Sequence, residues 1–458
     1  SAAIEARAAG VDVTIFERMA GGGGTTALAG GHIYLGGGTP VQEASGFTDT
    51  ADDMYAYLTA VSREPDPLKI RAYCDGSVAH FTWLEAHGIR FDRTYLPGKH
   101  LFQYGPDCLV WTGNETVWPF RDLARPAPRG HKPAVVGDAG AVIVEALTAS
   151  AVAAGANLVT ETRVVALRQD QRGRVVGVTI ERDGDRVDVD ACGGVILAAG
   201  GFTMNSEMIA QYAPVLASAE PLGSPADDGA AITLGTGVGG AVAHMDGAFL
   251  SATHYPPSGM LKGVIVNSEG NRFVAEDSYH GRTGSFVAAQ PGRVAYLILD
   301  DATFVRPRLD TLPFIDGWEN VADMERALGM TSGSLEKTVA NYNRHAAEGL
   351  DPTFGKAAEW LQPLHPPFAA FDMSIGKARY CGFTLGGLVT SVDGEVLDDL
   401  GQSIHGLYAA GACASNLVQD GPSYNSGLSI GEATFFGRSA GRHAARTAVG
   451  GPAQGDRG

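Results

Sequence analysis

The sequence predicts an α/β fold in which buried strands run into glycine-rich turns, and three observations carry that prediction. Residues 1–9 (SAAIEARAA) read as a helix that stops at Gly10, and residues 11–16 follow as a strand ending at Glu17. A second short apolar run, 195–198, leads into Gly200 and Gly201. A third, GLYAAG at 406–411, repeats strand then glycine. Strands far apart in the chain are therefore expected to feed one site.

The first helix and strand form the second half of a βαβ unit. In a dinucleotide-binding fold an acidic residue ends the second strand and holds the adenosine ribose, which makes Glu17, with its neighbour Arg18, a ribose candidate. A first strand and a GxGxxG turn would precede Ser1, so the sequence reads as opening in mid-motif. Residues 21–39 (GGGGTTALAGGHIYLGGGT) follow, and they look too polar and too kinked for a core element. Their backbone at Gly30 and Gly31, and the hydroxyls of Thr25 and Thr26, are candidates to wrap a pyrophosphate and flavin; a surface loop is the other reading.

Further along, 138–155 reads as an amphipathic helix, and 157–169 with 175–182 as a strand pair around the turn Gln171-Arg172-Gly173. Residues 95–133 are rich in aromatics and proline, including Tyr95, Phe102, Tyr104, Trp111, Trp118 and Phe120, and cannot form a long helix. They read either as an apolar lid over a flat ligand or as rings that pack the domain. Near the end, Gly421-Pro-Ser-Tyr-Asn-Ser-Gly427 forms a turn that carries Tyr424 into a helix starting near Leu428. That helix start offers free N–H groups and a positive dipole end, suited to an enolate oxygen or a reduced cofactor ring. A plain connector before a packed helix is the alternative.

A chain of 458 residues exceeds one compact core, so two domains are expected, one of them able to be inserted in the other. With 34 basic against 51 acidic side chains, the net charge of −17 argues against nucleic acid or anionic membranes as partners. The five cysteines are scattered without CxxC spacing, which argues against zinc, an iron–sulfur cluster or a disulfide framework; no metal site is expected. A reducing cytoplasm fits this usage. No apolar run reaches the ~18 residues that span a membrane, and no signal peptide is read.

Five motifs then fall in one order: AAGGFTMNSEMIAQYAP (198–214), GNRFVAED (270–277), TLGGLVTSVDGEVLD (384–398), GLYAAG (406–411) and GEATFFGRSAGRHA (431–444). Together they resemble the FAD-dependent fumarate reductase and 3-ketosteroid dehydrogenase superfamily over nearly the whole chain. The resemblance implies a Rossmann-like FAD-binding domain built from residues 1–210 and 366–458, with an α+β catalytic domain, 211–365, inserted between them. It also implies Glu17 on the ribose, backbone at Val164 on the adenine, and Ala199, Gly200, Gly201 and Gly411 along the phosphates and ribityl chain. Leu428, Ser429 and Ile430 would then lie at the pyrimidine edge of the flavin.

Three departures narrow the branch. Covalent members carry a flavin-linking histidine where this chain has Gly24, so the resemblance implies noncovalent FAD. Fumarate reductases place a histidine before TMGG and an arginine after the FVNE segment, whereas this chain has Gly382-Phe383 before TLGG and Asp-Ser-Tyr279-His280-Gly-Arg282 after Glu276. A dicarboxylate needs fixed cations, so such a substrate is disfavoured. Ala412 stands where a glutamate is usual, removing one expected cofactor contact. What is left resembles the 3-ketosteroid dehydrogenases, closest to the Δ4-(5α) branch by its SYNSG turn. A Δ1-dehydrogenase, a fumarate-reductase-like reductase of an activated C=C bond, and a flavoprotein that only binds FAD or passes electrons are the rivals.

Dehydrogenation next to a ketone needs a hydride acceptor, donors for the enolate oxygen and a base for the α-proton. FAD is the expected acceptor, a steroid the expected substrate, and a separate electron acceptor the expected partner. Tyr424 and the Gly427 N–H are the oxyanion candidates. Ser426 is the candidate base by resemblance, but an isolated serine is a poor base. Tyr279 is expected either to relay its proton or to sharpen Ser426 by a hydrogen bond, with His280 as the competing residue.

Overall fold

A computed structural model describes the backbone of residues 1–100 and 103–450, so Phe102, counted above in the aromatic stretch, lies outside the described residues. The first helix, Ala2–Ala8, is followed by strand Thr14–Phe16, which pairs in parallel with Asn157–Val159. Helix Gly140–Ala153 leads into that partner strand. Strand Val195–Leu197 pairs in parallel with Ser403–Ala409, so the two strand-then-glycine motifs are direct neighbours. The helix Leu428–Gly450 passes so close to Ala2 that Gly441 has no room for a Cβ.

Two expectations needed correction. Residues 21–39 are not wholly a polar loop: Gly24–Leu28 is helical, and Ile33, Tyr34 and Leu35 are fully buried. Strand Ile33–Tyr34 pairs with Gly130–His131, and this pairing draws the apolar triplet into the core despite its glycine surroundings. The expected strand pair is a three-stranded antiparallel sheet, Arg163–Gln169, Val175–Arg182 and Asp185–Asp190. The third strand reads DRVDVD, and its alternating charges hid it.

Between 211 and 372 lies a four-stranded antiparallel sheet made of Val264–Asn267, Ala295–Asp300, Phe368–Asp372 and Phe314–Trp318. Its core, including Val266, Ile298, Leu335 and Phe368, packs helices Val321–Ala327 and Ser334–Ala346 against it. A separate buried cluster joins Tyr34, Phe249, Tyr279, Tyr424 and Leu428, so residues from four distant segments meet in one apolar body. The site is built there.

Candidate active site

The turn 421–427 is fixed from three sides. Gly427 has φ +95°, and a Cβ on it would lie 2.8 Å from the Tyr34 nitrogen, so only glycine fits. Its carbonyl accepts from Tyr34 N–H at 3.0 Å, and Ser426 N–H donates to Thr112 O at 2.8 Å. Asn425 accepts from the Tyr57 hydroxyl at 2.5 Å. These bonds hold Tyr424 and Ser426 at the head of helix Leu428–Gly450.

Tyr424 stands beside Phe249 and Phe383, with ring centroids 4.8 and 5.3 Å away, and those two rings stack at 4.7 Å. Burial pushes its phenol up to about 12, against hydrogen bonds to the Ser429 side chain and the Gly427 N–H. The phenol therefore stays protonated and able to donate at neutral pH.

Tyr279 precedes helix His280–Ala288 and comes from the middle of the chain, yet it lines the same small cavity as Ser426. Its ring centroid is 6.3 Å from that of Tyr424. Its backbone N–H donates to Asn114 Oδ1 at 2.9 Å. Burial, with Tyr424 and Tyr255 nearby, holds its phenol well above the usual range. His280 is placed differently: its Nδ1 pairs with Ser251 Oγ at 2.6 Å, and burial with His254 and Lys99 nearby keeps it well below its ordinary value. A small cavity is lined by Ser426, Tyr279, Thr112, His32 and Gln103, and His280 is not in its wall.

The expected cofactor residues are placed as follows by their contacts. Glu17 accepts from Met19 N–H at 2.8 Å, and its carbonyl takes the Thr162 N–H at 2.9 Å, two residues before Val164 in strand Arg163–Gln169. Arg18 pairs with Asp228 at 2.6 Å. The Thr25 hydroxyl donates to Asp227, which also leaves no room for a Cβ on Gly200. Burial raises the Asp227 carboxyl, against hydrogen bonds from the Thr25 hydroxyl and the Ser224 backbone. Gly30 accepts from Ala139 N–H at 3.1 Å, Gly31 packs a bare Cα against Ala139, and Thr26 turns its carbonyl to Gly140. Ala199 is exposed at the strand end before Gly200, and Gly411, with φ +77°, opens the turn after the partner strand. Leu428, Ser429 and Ile430 form the first helical turn, with the Leu428 N–H donating to Asn425 O at 3.0 Å. Bare glycine backbone, a threonine hydroxyl and a helix start suit a long anionic cofactor.

The family model described as an FAD binding domain matches residues 1–423. The chain belongs to the FAD binding domain family. FAD is the cofactor of this family's chain, and the protein is an FAD-dependent oxidoreductase. It is 38% identical to the solved 3-ketosteroid Δ4-(5α)-dehydrogenase of Rhodococcus jostii RHA1, in complex with 4-androstene-3,17-dione, over 97% of this chain and 94% of that one, with a TM-score of 0.91. A 3-oxo-5-alpha-steroid 4-dehydrogenase of Comamonas testosteroni is 29% identical over 90% of each chain. A probable fumarate reductase of Shewanella frigidimarina is 25% identical over 98% of this chain and 73% of its own.

Sequence reasoning missed four neighbours. Phe249 gave no signal, whereas Phe383 was noted only as a departure and forms one wall around Tyr424. Asp227, in the Pro-Ala-Asp-Asp-Gly turn, was legible as an acidic pair at a glycine. Thr112 and Asn114 were hidden, because their roles lie in contacts across the fold. The aromatic stretch mostly packs the domain: Trp111 Nε1 donates to Tyr95 Oη at 2.8 Å, and Phe120 meets Tyr57 at 5.9 Å. Tyr104 and Trp118 are exposed.

Proposed function

We propose that the protein is a flavin-dependent dehydrogenase of 3-ketosteroids that introduces the C4–C5 double bond of a 5α-3-ketosteroid. The observation that carries this reading is that Tyr279 and Ser426 line one cavity, with the Tyr279 ring 6.3 Å from that of Tyr424. The Tyr424 phenol and the Gly427 N–H would hold the ketone oxygen as negative charge builds on it. Ser426 would take the α-proton and Tyr279 would carry a proton onward. When bound, FAD supplies the hydride acceptor. These are uncharged groups, which suits a neutral ketone better than a dicarboxylate.

The likeness to the Rhodococcus and Comamonas enzymes supports the same regiochemistry. We also infer that 1–210 and 366–458 make one Rossmann-like FAD domain with 211–365 inserted; the parallel pairing of Val195–Leu197 with Ser403–Ala409 supports it. Among the described residues no helix is long and apolar enough to cross a membrane, and all five cysteines are free, which supports a reducing compartment. An external electron acceptor would complete each turnover.

Product analysis tests the assignment. Incubating the full-length protein with a saturated 5α-3-ketosteroid and an artificial electron acceptor should give the C4–C5 alkene by mass and NMR. A C1–C2 alkene would place it with the Δ1-dehydrogenases instead.

A further inference from the structure

The segment Thr112-Gly113-Asn114-Glu115, which follows strand Leu109–Trp111, holds the backbone of both Tyr279 and Ser426. Thr112 O accepts from Ser426 N–H at 2.8 Å, and Asn114 Oδ1 accepts from Tyr279 N–H at 2.9 Å. Gly113 lies between those two anchors. Its N–H donates to Glu115 Oε2 at 3.0 Å, so the Glu115 side chain folds back and closes the segment on itself. The other carboxyl oxygen, Oε1, accepts from the Tyr34 hydroxyl at 3.0 Å, and Tyr34 N–H in turn donates to Gly427 O at 3.0 Å. Gly113 also leaves no room for a Cβ beside Asn425 Oδ1. Glu115 is 1% exposed, and a buried carboxyl is costly. It is not needed to balance the buried Arg129, whose Nε and Nη2 already bond the two oxygens of Asp49 at 3.0 and 2.8 Å. What Glu115 adds is its two hydrogen bonds.

Resting on the dehydrogenase reading above, we propose that Glu115 is a positioning residue for the reaction: by pinning the Gly113 amide to Tyr34, it fixes how far Tyr279 stands from Ser426. Asn114 grips Tyr279 at the backbone and Thr112 grips Ser426 at the backbone, so any change in the shape of 112–115 moves one against the other. Reacting groups displaced by ~1 Å lose much of their rate advantage. Glu115 is absent from the wall of the cavity that Tyr279 and Ser426 line, so it acts through them and not on the substrate.

Glu115→Met keeps the length of the side chain and removes both acceptors. Glu115→Gln keeps an oxygen for the Gly113 N–H and an NH2 that can donate to the Tyr34 oxygen. In the full-length, FAD-loaded protein assayed with a saturated 5α-3-ketosteroid, Glu115→Met should lower kcat about tenfold with KM and FAD content unchanged, and Glu115→Gln should restore most of it. In a Tyr279→Phe background, where no hydroxyl is left to place, Glu115→Met should cost no more than about twofold further. Wild-type kcat in Glu115→Met, equal impairment of the Gln variant, or the full tenfold loss repeated in the Tyr279→Phe background would overturn the proposal. If Glu115→Met does not fold, Tyr34→Phe, which frees the far end of the carboxyl, goes through the same cycle: a loss confined to the Tyr279 background supports the role, and an equal loss in both backgrounds overturns it. A wild-type protein that turns over no 3-ketosteroid removes the dehydrogenase reading. The positioning role is then decided by crystal structures of the wild type and of whichever variant folds, in which Tyr279 should have moved relative to Ser426; an unmoved pair overturns it.

Discussion

Tyr279 and Ser426 line one small cavity from two separate parts of the chain, one just before helix His280–Ala288 and the other in the turn before helix Leu428–Gly450. Their meeting makes a weak base part of a pair. Residues that act as a unit lose function together, so Ser426→Ala and Tyr279→Phe should each reduce turnover by on the order of 10²–10⁴. The double variant should be little worse than either. Steady-state kinetics checks this, and fully multiplicative losses would mean that the residues work independently.

Tyr424 is the proposed donor to the ketone oxygen and stands beside the stacked rings of Phe249 and Phe383. Tyr424→Phe keeps the ring and removes the hydroxyl. Turnover should fall by on the order of 10²–10³ with FAD content unchanged. Unchanged turnover, measured alongside the flavin absorbance, removes Tyr424 from the oxyanion role.

Gly427 admits no side chain, since a Cβ would press on the Ile33 and Tyr34 nitrogens at 2.9 and 2.8 Å from a backbone with φ +95°. Gly427→Ala should therefore displace the turn, lower the melting temperature and reduce activity sharply. The strain plus the clash should cost roughly 1–3 kcal/mol. Thermal unfolding followed by circular dichroism measures it.

Glu432, one turn into the same helix, is buried and its carboxyl is pushed up to about 8 by desolvation, against hydrogen bonds from Leu417 and Val418 N–H and the charge of Lys69. The folded state thus binds a proton more tightly than the unfolded chain. Its contribution is full below the ordinary value of 4.5 and is lost as pH rises through about 8. Denaturant unfolding across this window should show stability falling with a slope of up to ~1.4 kcal/mol per pH unit from this group. Glu432→Gln should flatten that slope.

A buried ion cluster supports the segment that leads to Tyr279. Burial alone would raise the Glu276 carboxyl, and the Arg272 and Lys356 cations instead hold it down to about 2. Arg272 also pairs with Asp351 at 2.8 Å. Arg272→Met leaves two buried carboxylates short of a partner and should cost about 3–5 kcal/mol, read as a lower urea midpoint.

The local signals in the sequence were strong where glycine or periodicity is demanded by geometry. Gly10 stops the first helix at φ +83°, the GLYAAG strand lies beside the strand before Gly200, and the helix after the turn starts at Leu428. The strand Ile33–Tyr34 was obscured because its burial comes from pairing with Gly130–His131, nearly a hundred residues away. Within the site, the turn bearing Tyr424 and Ser426 was visible as a motif. The meeting of Ser426 and Tyr279 at one cavity, and the Thr112 and Asn114 anchors, depend on long-range packing, which no local pattern encodes.

The most direct measurement is anaerobic titration of the full-length, FAD-loaded protein with a saturated 5α-3-ketosteroid while the flavin absorbance is followed. The neutral pair Tyr424 and Gly427, with Ser426 and Tyr279 beside it, predicts that the oxidised flavin band bleaches stoichiometrically and that succinate leaves it unchanged. Bleaching by succinate but by no 3-ketosteroid would contradict it.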